Sequence, residues 1–276
     1  MNRIVAATNN KRFTSTILAL AIEIGIVLLC LNSAQAQSTN HSRPKGSSNN
    51  LSTFAAPPPP SDVGAPHKRS HAGSRGCRKS NKQLSQPRRK SLTALVPKLK
   101  TSGTELAGGL TTTEHPTLLF YVPHNLTAEH SIEFVLKDRQ DNYVYQNKFI
   151  GKETPSGIVS VKVPDRISLQ AGRNYSWHFL IYCGDSSTPA NYVNGSIQRV
   201  ERPELENQLK VAQAEDKVVL YADRGIWYEA LAELAKLRRT DPRNENFRED
   251  WLSLLRSIGL EHLGSEPFVS CCSENN

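Results

Sequence analysis

The strongest constraint on the fold is a series of short segments with strand character, separated by turn signals, between residues 91 and 200. Apolar and polar residues alternate in 132–137 and again in 158–163. Prolines at 97, 123 and 164 close three of the segments, where a missing N–H does least harm to a sheet. Seven segments at this spacing predict an all-β sandwich. They span residues 92–96, 117–122, 131–137, 143–149, 157–163, 175–183 and 192–200.

The sequence of one turn indicates which kind of sandwich to expect. The run from Leu169 through Gly172 into Tyr175 is similar to the tyrosine corner of immunoglobulin-like and fibronectin-like sandwiches. In that corner a tyrosine near the start of a late strand donates its hydroxyl back to the preceding turn, and Gly172 would supply the permissive backbone. The alternative is an ordinary tight turn before an aromatic strand. We therefore expect an immunoglobulin- or fibronectin-like sandwich with Tyr175 and Gly172 at its corner.

After residue 200 the period of the apolar residues changes from two to that of a helix. Pro203 suits a first helical turn, and helical segments follow up to breaks at Gly225, Pro242 and Gly259. The last two segments resemble part of a tetratricopeptide-type hairpin, through Gly225, Tyr228, Ala230 and Pro242. One repeat does not stand alone, so we expect a helical cap that packs on the sandwich. Trp227 and Trp251 are expected in its core rather than in a ligand site.

The first 36 residues have the order of a secretory signal peptide. Positive residues near the start precede an apolar run over 17–31, which Glu23 interrupts, and an A-x-A site ends at Ala36. An uncleaved anchor needs about 20 apolar residues, more than this run contains. A lipoprotein would need a small residue before Cys30, where Leu29 stands. We expect cleavage after Ala36 and an exported protein of the periplasm or cell surface.

Positive charge is concentrated directly after the leader. Residues 37–90 contain eleven lysines and arginines against Asp62 alone, whereas residues 91–276 are mildly acidic. The segment is rich in Ser, Asn and Pro and has too few large apolar residues to offset the entropy of ordering it. It is either a solvated spacer or a cationic arm that touches anionic lipid or polymer through residues 43–90. Nucleic acid is not expected as a partner, because no recognition motif is present.

Four cysteines remain after cleavage. An even number in an exported chain predicts disulfides, with three possible connectivities among Cys77, Cys183, Cys271 and Cys272. A bond between Cys77 and Cys183 would pin the start of the domain to its sheet and contribute about 4–5 kcal/mol by the chain-entropy model. The adjacent Cys271 and Cys272 could join each other or take other partners. No C-x-x-C pair occurs and the histidines are scattered, so neither a metal nor another cofactor is expected.

Several motifs are distinctive in combination. They lie at residues 74–77, 92–97, 116–123, 133–136, 157–160, 181–183 and 221–231. Together they resemble the cyanobacterial domain-of-unknown-function family 928 (DUF928), over about residues 74–265. The resemblance implies an exported protein and transfers no established activity. At the C-terminus, the Cys271–Cys272 pair departs from the usual pattern of the family.

These observations predict five segments and a non-enzymatic function. No catalytic motif is present, and the leading hypothesis is an envelope protein that binds or scaffolds other envelope proteins. One alternative is a carbohydrate-active or cell-wall hydrolase with a pocket drawing on Trp177, Tyr182 and Tyr192. Another is a polyanion-binding anchor formed by the linker. The segments are a signal peptide at 1–36, a disordered basic linker at 37–90, the sandwich at 91–200, a helical cap at 201–265 and a tail at 266–276.

Overall fold

Two β-sheets followed by four α-helices form the described part of the chain. The computed structural model describes residues 54, 56–58, 68–71, 90–100 and 105–271. A four-stranded sheet has the order β1-β2-β5-β8, and a six-stranded sheet has the order β3-β4-β10-β9-β6-β7. The strands are β1 Ser70–His71, β2 Leu92–Ala94, β3 Lys98–Lys100, β4 Glu105–Thr111, β5 Thr117–Val122, β6 His130–Lys137, β7 Tyr143–Ile150, β8 Gly157–Lys162, β9 Asn174–Cys183 and β10 Asn191–Arg199.

The two sheets pack face to face through the apolar residues of their alternating strands. Phe120 of β5 stacks on Phe179 of β9, with ring centroids 4.3 Å apart and planes inclined by 16°. Trp177 meets the same Phe120 edge-on at 5.5 Å. Because successive residues of a strand point to opposite faces, Ser176 and His178 lie on the outer face while Trp177 and Phe179 are fully buried. The alternation seen in the sequence therefore describes a real inner and outer face.

Strand β4 was not among the predicted strands, because its sequence lacks the residues that are typical of a strand. Gly108 and Gly109 occupy its centre, and glycine is unfavourable in strands. A Cβ on Gly108 would lie 2.3 Å from the backbone oxygen of Ser196, and one on Gly109 would lie 2.9 Å from the Trp227 side chain. The parallel pairing of β4 with β10 and the approach of a helix both require these glycines.

The helices follow the spacing of their apolar residues. The third helix ends where Asp241 and Pro242 interrupt the pattern. The fourth follows an N-cap, Asn244, whose side chain accepts hydrogen bonds from the backbone N–H groups of Asn246 and Phe247. The helices are α1 Pro203–Val211, α2 Ala214–Asp223, α3 Trp227–Thr240 and α4 Glu245–Ser257, followed by a 3₁₀ turn at Glu261–Leu263.

The first turn of α3 holds the helices to the sheets. Trp227 donates its indole N–H to the backbone oxygen of Leu95 at 2.8 Å, and the Tyr228 hydroxyl donates to the backbone oxygen of Ser196 at 2.8 Å. Trp227, Tyr228 and Trp251 are at most 1% exposed and belong to the same apolar cluster as the inner faces of both sheets. The predicted core positions of Trp227 and Trp251 are confirmed.

The C-terminal segment completes the small sheet. Ile158 of β8 donates its backbone N–H to Pro267 at 2.7 Å and accepts from Val269 at 2.9 Å. Near this segment the Lys90 ammonium forms an ion pair with the Glu266 carboxylate. Lys90, two residues before β2, therefore lies beside the segment that ends the described chain.

The predicted fold class is confirmed as mainly β with a helical C-terminal part. All seven predicted strands are present, with bounds that differ by at most two residues, and β1, β3 and β4 are additional. The immunoglobulin- or fibronectin-like identity of the sandwich stays a prediction. Within the described residues, no helix is both long enough and apolar enough to cross a bilayer. Residues 1–36, the predicted signal peptide, and most of the predicted linker fall outside the described residues.

Candidate functional site

The candidate site is the solvent-facing side of the six-stranded sheet, called here the outer face. Register places Lys148 of β7 opposite Glu133 of β6, Glu133 opposite Leu180 of β9, and Leu180 opposite Tyr192 of β10. This row crosses four strands, and directly opposed side chains in a sheet lie in contact range. The outer face is defined by Glu133, Lys137, Tyr143, Gln146, Lys148, Ile150, His178, Leu180, Tyr182 and Tyr192.

Large apolar side chains that remain exposed are concentrated on the outer face. Tyr143 is 62% exposed, Ile150 is 58% exposed and Tyr192 is 37% exposed. Within the described residues the fourth such side chain, Val211, lies on α1 and is 84% exposed. Exposed apolar side chains scattered singly are ordinary, but a group of them on one rigid sheet is typical of an interaction surface.

Each of the three tyrosines on the outer face has a lysine ammonium over its ring. The nitrogen-to-centroid distances are 4.4 Å for Lys68 over Tyr192, 4.7 Å for Lys137 over Tyr143 and 5.0 Å for Lys148 over Tyr182. The contact of a cation with an aromatic face is attractive and holds the lysine in place. The outer face therefore combines flat apolar area with fixed positive charge.

Glu133 ties the middle of the outer face together. Tyr182 donates its hydroxyl to one carboxylate oxygen at 2.6 Å, and the Gln146 amide donates to the other at 2.5 Å. Burial, together with the hydrogen bond to Glu133, raises the pKa of Tyr182 to about 12. Burial, and secondly the nearby Lys137, lowers the pKa of His178. The central histidine is thus held toward its neutral form, and the positive charge of the face comes from its lysines.

Strand β7 borders the outer face and ends the six-stranded sheet. Among the described strands it pairs with β6 alone, and the backbone groups on the far side of such an edge strand can pair with another strand. The Asn147 side chain accepts a hydrogen bond from the N–H of Lys148 at 2.9 Å, which occupies one of these donors. The neighbouring edge positions, Gln146 and Ile150, carry exposed side chains. An open edge strand of eight residues next to an apolar patch is suited to receive another strand.

The structure separates the three aromatics named for a hydrolase pocket. Tyr182 and Tyr192 share the outer face, whereas Trp177 is fully buried on the inner face. Its indole N–H donates to the Tyr228 hydroxyl at 3.0 Å, so its polar atom is used inside the core. Two of the three residues are therefore brought together on a flat surface, and the third is a core residue.

The turn before β9 has the hydrogen bond that a tyrosine corner needs. The backbone N–H of Gln170 donates to the Tyr175 hydroxyl at 2.9 Å, and Gly172 has a φ of +72°. The tyrosine oxygen is the acceptor here, whereas the prediction made it the donor. Tyr175 is 7% exposed, and its contact fixes the turn against the strand. The turn also lines a polar pocket beneath the β6–β7 hairpin.

Two of the four cysteines predicted to form disulfides lie among the described residues. Cys183 ends β9, and Cys271 packs partly buried against the core. Cys77 and Cys272 lie outside the described residues, so the connectivity stays a prediction.

Two ionisable groups with strongly shifted pKa values, the buried Glu229 and the half-buried His124, were not identified from the sequence. Glu229 in the first turn of α3 is enclosed, and it accepts hydrogen bonds from the Thr111 hydroxyl and, at 3.4 Å, from the N–H of Thr113. Burial raises the pKa of Glu229 to about 7, against the opposing hydrogen bond from Thr111. His124 lies 5.3 Å from His130 between ring centroids, and burial lowers the pKa of His124 to about 4. The only sequence signal was a glutamate flanked by apolar residues.

No group of three or more His, Cys, Asp and Glu residues in the described part of the chain is arranged to hold a metal ion.

Comparison with protein families gives a match over residues 70–268 to the family described as Domain of Unknown Function (DUF928). A search of curated proteins gives no match. The family resemblance read from the motifs is confirmed.

Proposed function

The chain belongs to the DUF928 family, and we propose that it is an exported, non-enzymatic binding module of the cell envelope. Its partner is a protein that docks on the outer face and along the edge of β7. The observation that carries this proposal is the concentration of exposed large apolar side chains, Tyr143, Ile150 and Tyr192, on one face of the six-stranded sheet. Tyrosines with an apolar body and a polar tip are enriched at protein interfaces.

The arrangement of the rings favours a protein over a polysaccharide. Sugars stack on open aromatic faces, but the rings of Tyr143, Tyr182 and Tyr192 each have a lysine on one side. Apolar contact is instead offered by Ile150 on β7, which is the last strand of the described six-stranded sheet. A partner strand with apolar residues facing Ile150 and acidic residues facing the lysines would match both features.

The decisive experiment compares two exposed apolar positions. A photo-crosslinking residue is placed at Ile150 or at Val211 of the full chain in its native host, and crosslinked species are identified by mass spectrometry. We expect one specific protein adduct from position 150 that is missing from position 211. The variant Ile150→Glu should lose the co-purified partner, and Val211→Glu should keep it, because both substitutions add a charge to an exposed position. Identical adducts from the two positions, or a partner kept by Ile150→Glu, would contradict the proposal.

We also propose that the mature protein is oxidised. Cys183 and Cys271 support this, because neither is a free thiol in the structure. Cys77 is the partner we propose for Cys183, since this pairing ties the linker to the end of β9. Peptide mapping without reduction identifies the bridged peptides, and a Cys77→Ser chain with an unchanged Cys183 partner would exclude the pairing.

A further inference from the structure

A polar pocket lies at one end of the sandwich, apart from the Ile150 end of the outer face. It has a volume of about 290 Å³ and lies between the β6–β7 hairpin turn and the turn that precedes β9. The first turn contributes Arg139 and Gln140, and the second contributes Ser168, Gln170 and Arg173. A volume at the lower end of the range for ligand pockets suits a single sugar ring rather than a larger cofactor.

Both walls of the pocket are rigid turns. Asp138 accepts hydrogen bonds from the backbone N–H groups of Gln140 and Asn142, both at 2.9 Å, and from the Asn142 amide at 3.0 Å. These bonds, with the amide bond first, lower the pKa of Asp138. Lys137 closes the same hairpin turn through its ion pair with Asp141 at 3.0 Å. The hairpin therefore holds its residues in a fixed geometry before any ligand arrives.

The opposite wall is fixed by three hydrogen bonds around Gly172. The N–H of Gly172 donates to the backbone oxygen of Arg199 at 2.8 Å, and the Arg199 guanidinium donates to the backbone oxygen of Leu169 at 2.6 Å. The Tyr175 hydroxyl accepts the N–H of Gln170 at 2.9 Å, which leaves its own proton to be donated. This turn would need no reorganisation to present Arg173 and Gln170.

The side chains that line the pocket are rich in hydrogen-bond donors. Arg139 and Arg173 carry guanidinium groups, which match the two oxygens of a carboxylate. The single carboxylate of the lining, Asp138, accepts hydrogen bonds within its own turn and is also attracted by the charge of Arg173, so it leaves the lining with one net positive charge. Gln140 and Gln170 have amides that both donate and accept, and Ser168 adds a hydroxyl, a combination that suits neighbouring hydroxyl groups.

From this chemistry we propose that the pocket binds a sugar ring that carries a carboxylate, a uronic acid. The two guanidinium groups recognise the carboxylate, and the amide and hydroxyl groups recognise the ring hydroxyls. The ring is either a free monosaccharide or the end unit of an acidic polysaccharide, and both present the same chemistry. The pocket shares no lining residue with the proposed protein-docking surface, although Lys137 and Tyr143 of that surface lie in the same hairpin, and this proposal does not depend on the docking proposal.

The test measures binding to the purified mature chain by calorimetry. The probes are glucuronate, glucose, inorganic phosphate and a glucuronate-ended oligosaccharide. We expect saturable binding of glucuronate and no measurable binding of glucose, because glucose lacks the carboxylate. Tighter binding of the oligosaccharide than of glucuronate identifies a polymer end as the ligand, and equal binding identifies the single ring.

Variants separate the pocket from other basic positions. Arg139→Gln and Arg173→Gln should each weaken glucuronate binding by about tenfold or more, as expected for a charge-assisted hydrogen bond. Arg248→Gln is the matched control, since Arg248 is an arginine on α4 that pairs with Glu245. All these arginines are exposed, and unchanged far-ultraviolet circular dichroism checks that each variant folds. The proposal is overturned by equal binding of glucose, by phosphate binding as tightly as glucuronate, by no binding, or by the same affinity in Arg173→Gln as in the control.

Discussion

Trp177 on β9 donates its indole N–H to the hydroxyl of Tyr228 on α3 at 3.0 Å, in a fully enclosed site between the sheets and the helices. Because the same hydroxyl donates to the backbone oxygen of Ser196 at 2.8 Å, one oxygen joins two strands and a helix. Burial raises the pKa of Tyr228 above its usual range, so this hydroxyl keeps its proton.

Tyr228→Phe is expected to lower the free energy of unfolding by about 1–3 kcal/mol, because it leaves buried polar groups without their partner. Urea denaturation measures the loss. Tyr143→Phe, at a 62% exposed position, is the control and should change stability very little. Equal effects of the two substitutions would show that the buried hydroxyl adds nothing.

Replacing either of two glycines by alanine should lower the stability of the protein, for a different reason in each case. Gly108→Ala places a Cβ 2.3 Å from the backbone oxygen of Ser196, so β4 and β10 must separate, and the loss should be about 3 kcal/mol or more. Gly172→Ala has open space but a φ of +72°, so only backbone strain of about 1 kcal/mol is expected. Thermal unfolding of both variants ranks them, and a smaller loss at Gly108 would contradict the parallel pairing of these strands.

Glu229 should make stability fall as the pH rises. Burial raises the pKa of Glu229 from its usual 4.5 to about 7 in the folded chain, so the folded state binds one more proton than the unfolded state between these pH values. Stability from this group is complete below pH 4.5 and is lost as the pH approaches 7, by about 3 kcal/mol in all. Glu229→Gln should lack this loss. The stability difference between variant and wild type is measured by urea unfolding at pH 4.5 and pH 8, and a difference that is the same at both would contradict the buried carboxyl.

His124 should make stability fall as the pH is lowered, which is the opposite of the dependence expected from Glu229. Burial lowers the pKa of His124 to about 4 from 6.5, so the unfolded chain takes up the proton first as the solution becomes acidic. Its contribution is present above pH 6.5 and is lost as the pH falls toward 4. In His124→Gln the loss of stability between pH 6.5 and pH 4.5 should be smaller than in the wild type. A variant with the wild-type acid profile would show that this imidazole is accessible to protons when folded.

The mature protein should begin at Gln37. Signal peptidase cleavage after Ala36 removes the leader, and intact mass spectrometry of the protein purified from its native host measures the result. Without reduction, the mass should fall short of the fully reduced chain by two hydrogens for each disulfide. A protein that still begins at Met1 and carries free thiols would contradict both export and oxidation.

Local sequence patterns were sufficient to predict most of the strands and helices. Strands β5 to β10 could be predicted as short segments bounded by turn signals, with visible alternation in β6 and β8, and the helices because their apolar residues recur at helical spacing. Strand β4 could not be predicted, since Gly108 and Gly109 are selected by close approach of Ser196 and Trp227, which are distant in sequence.

The candidate site was harder to predict than the fold. Tyr182 and Tyr192 were singled out, but their common face with Tyr143 and Ile150 depends on the register of β6 between β7 and β9. Register is set by the packing of the whole sheet, and it is not encoded in any one strand. The burial of Glu229 likewise depends on where α3 meets the loop after β4.

The contact between Lys90 and Glu266 brings a residue just before β2 to the same place on the surface as the segment after the last helix. Force applied between these two positions would stretch very little of the sandwich, because they already lie side by side. The load would instead fall on a single ion pair between partly exposed side chains, which is a weak contact that opens and closes again without disturbing the sheets.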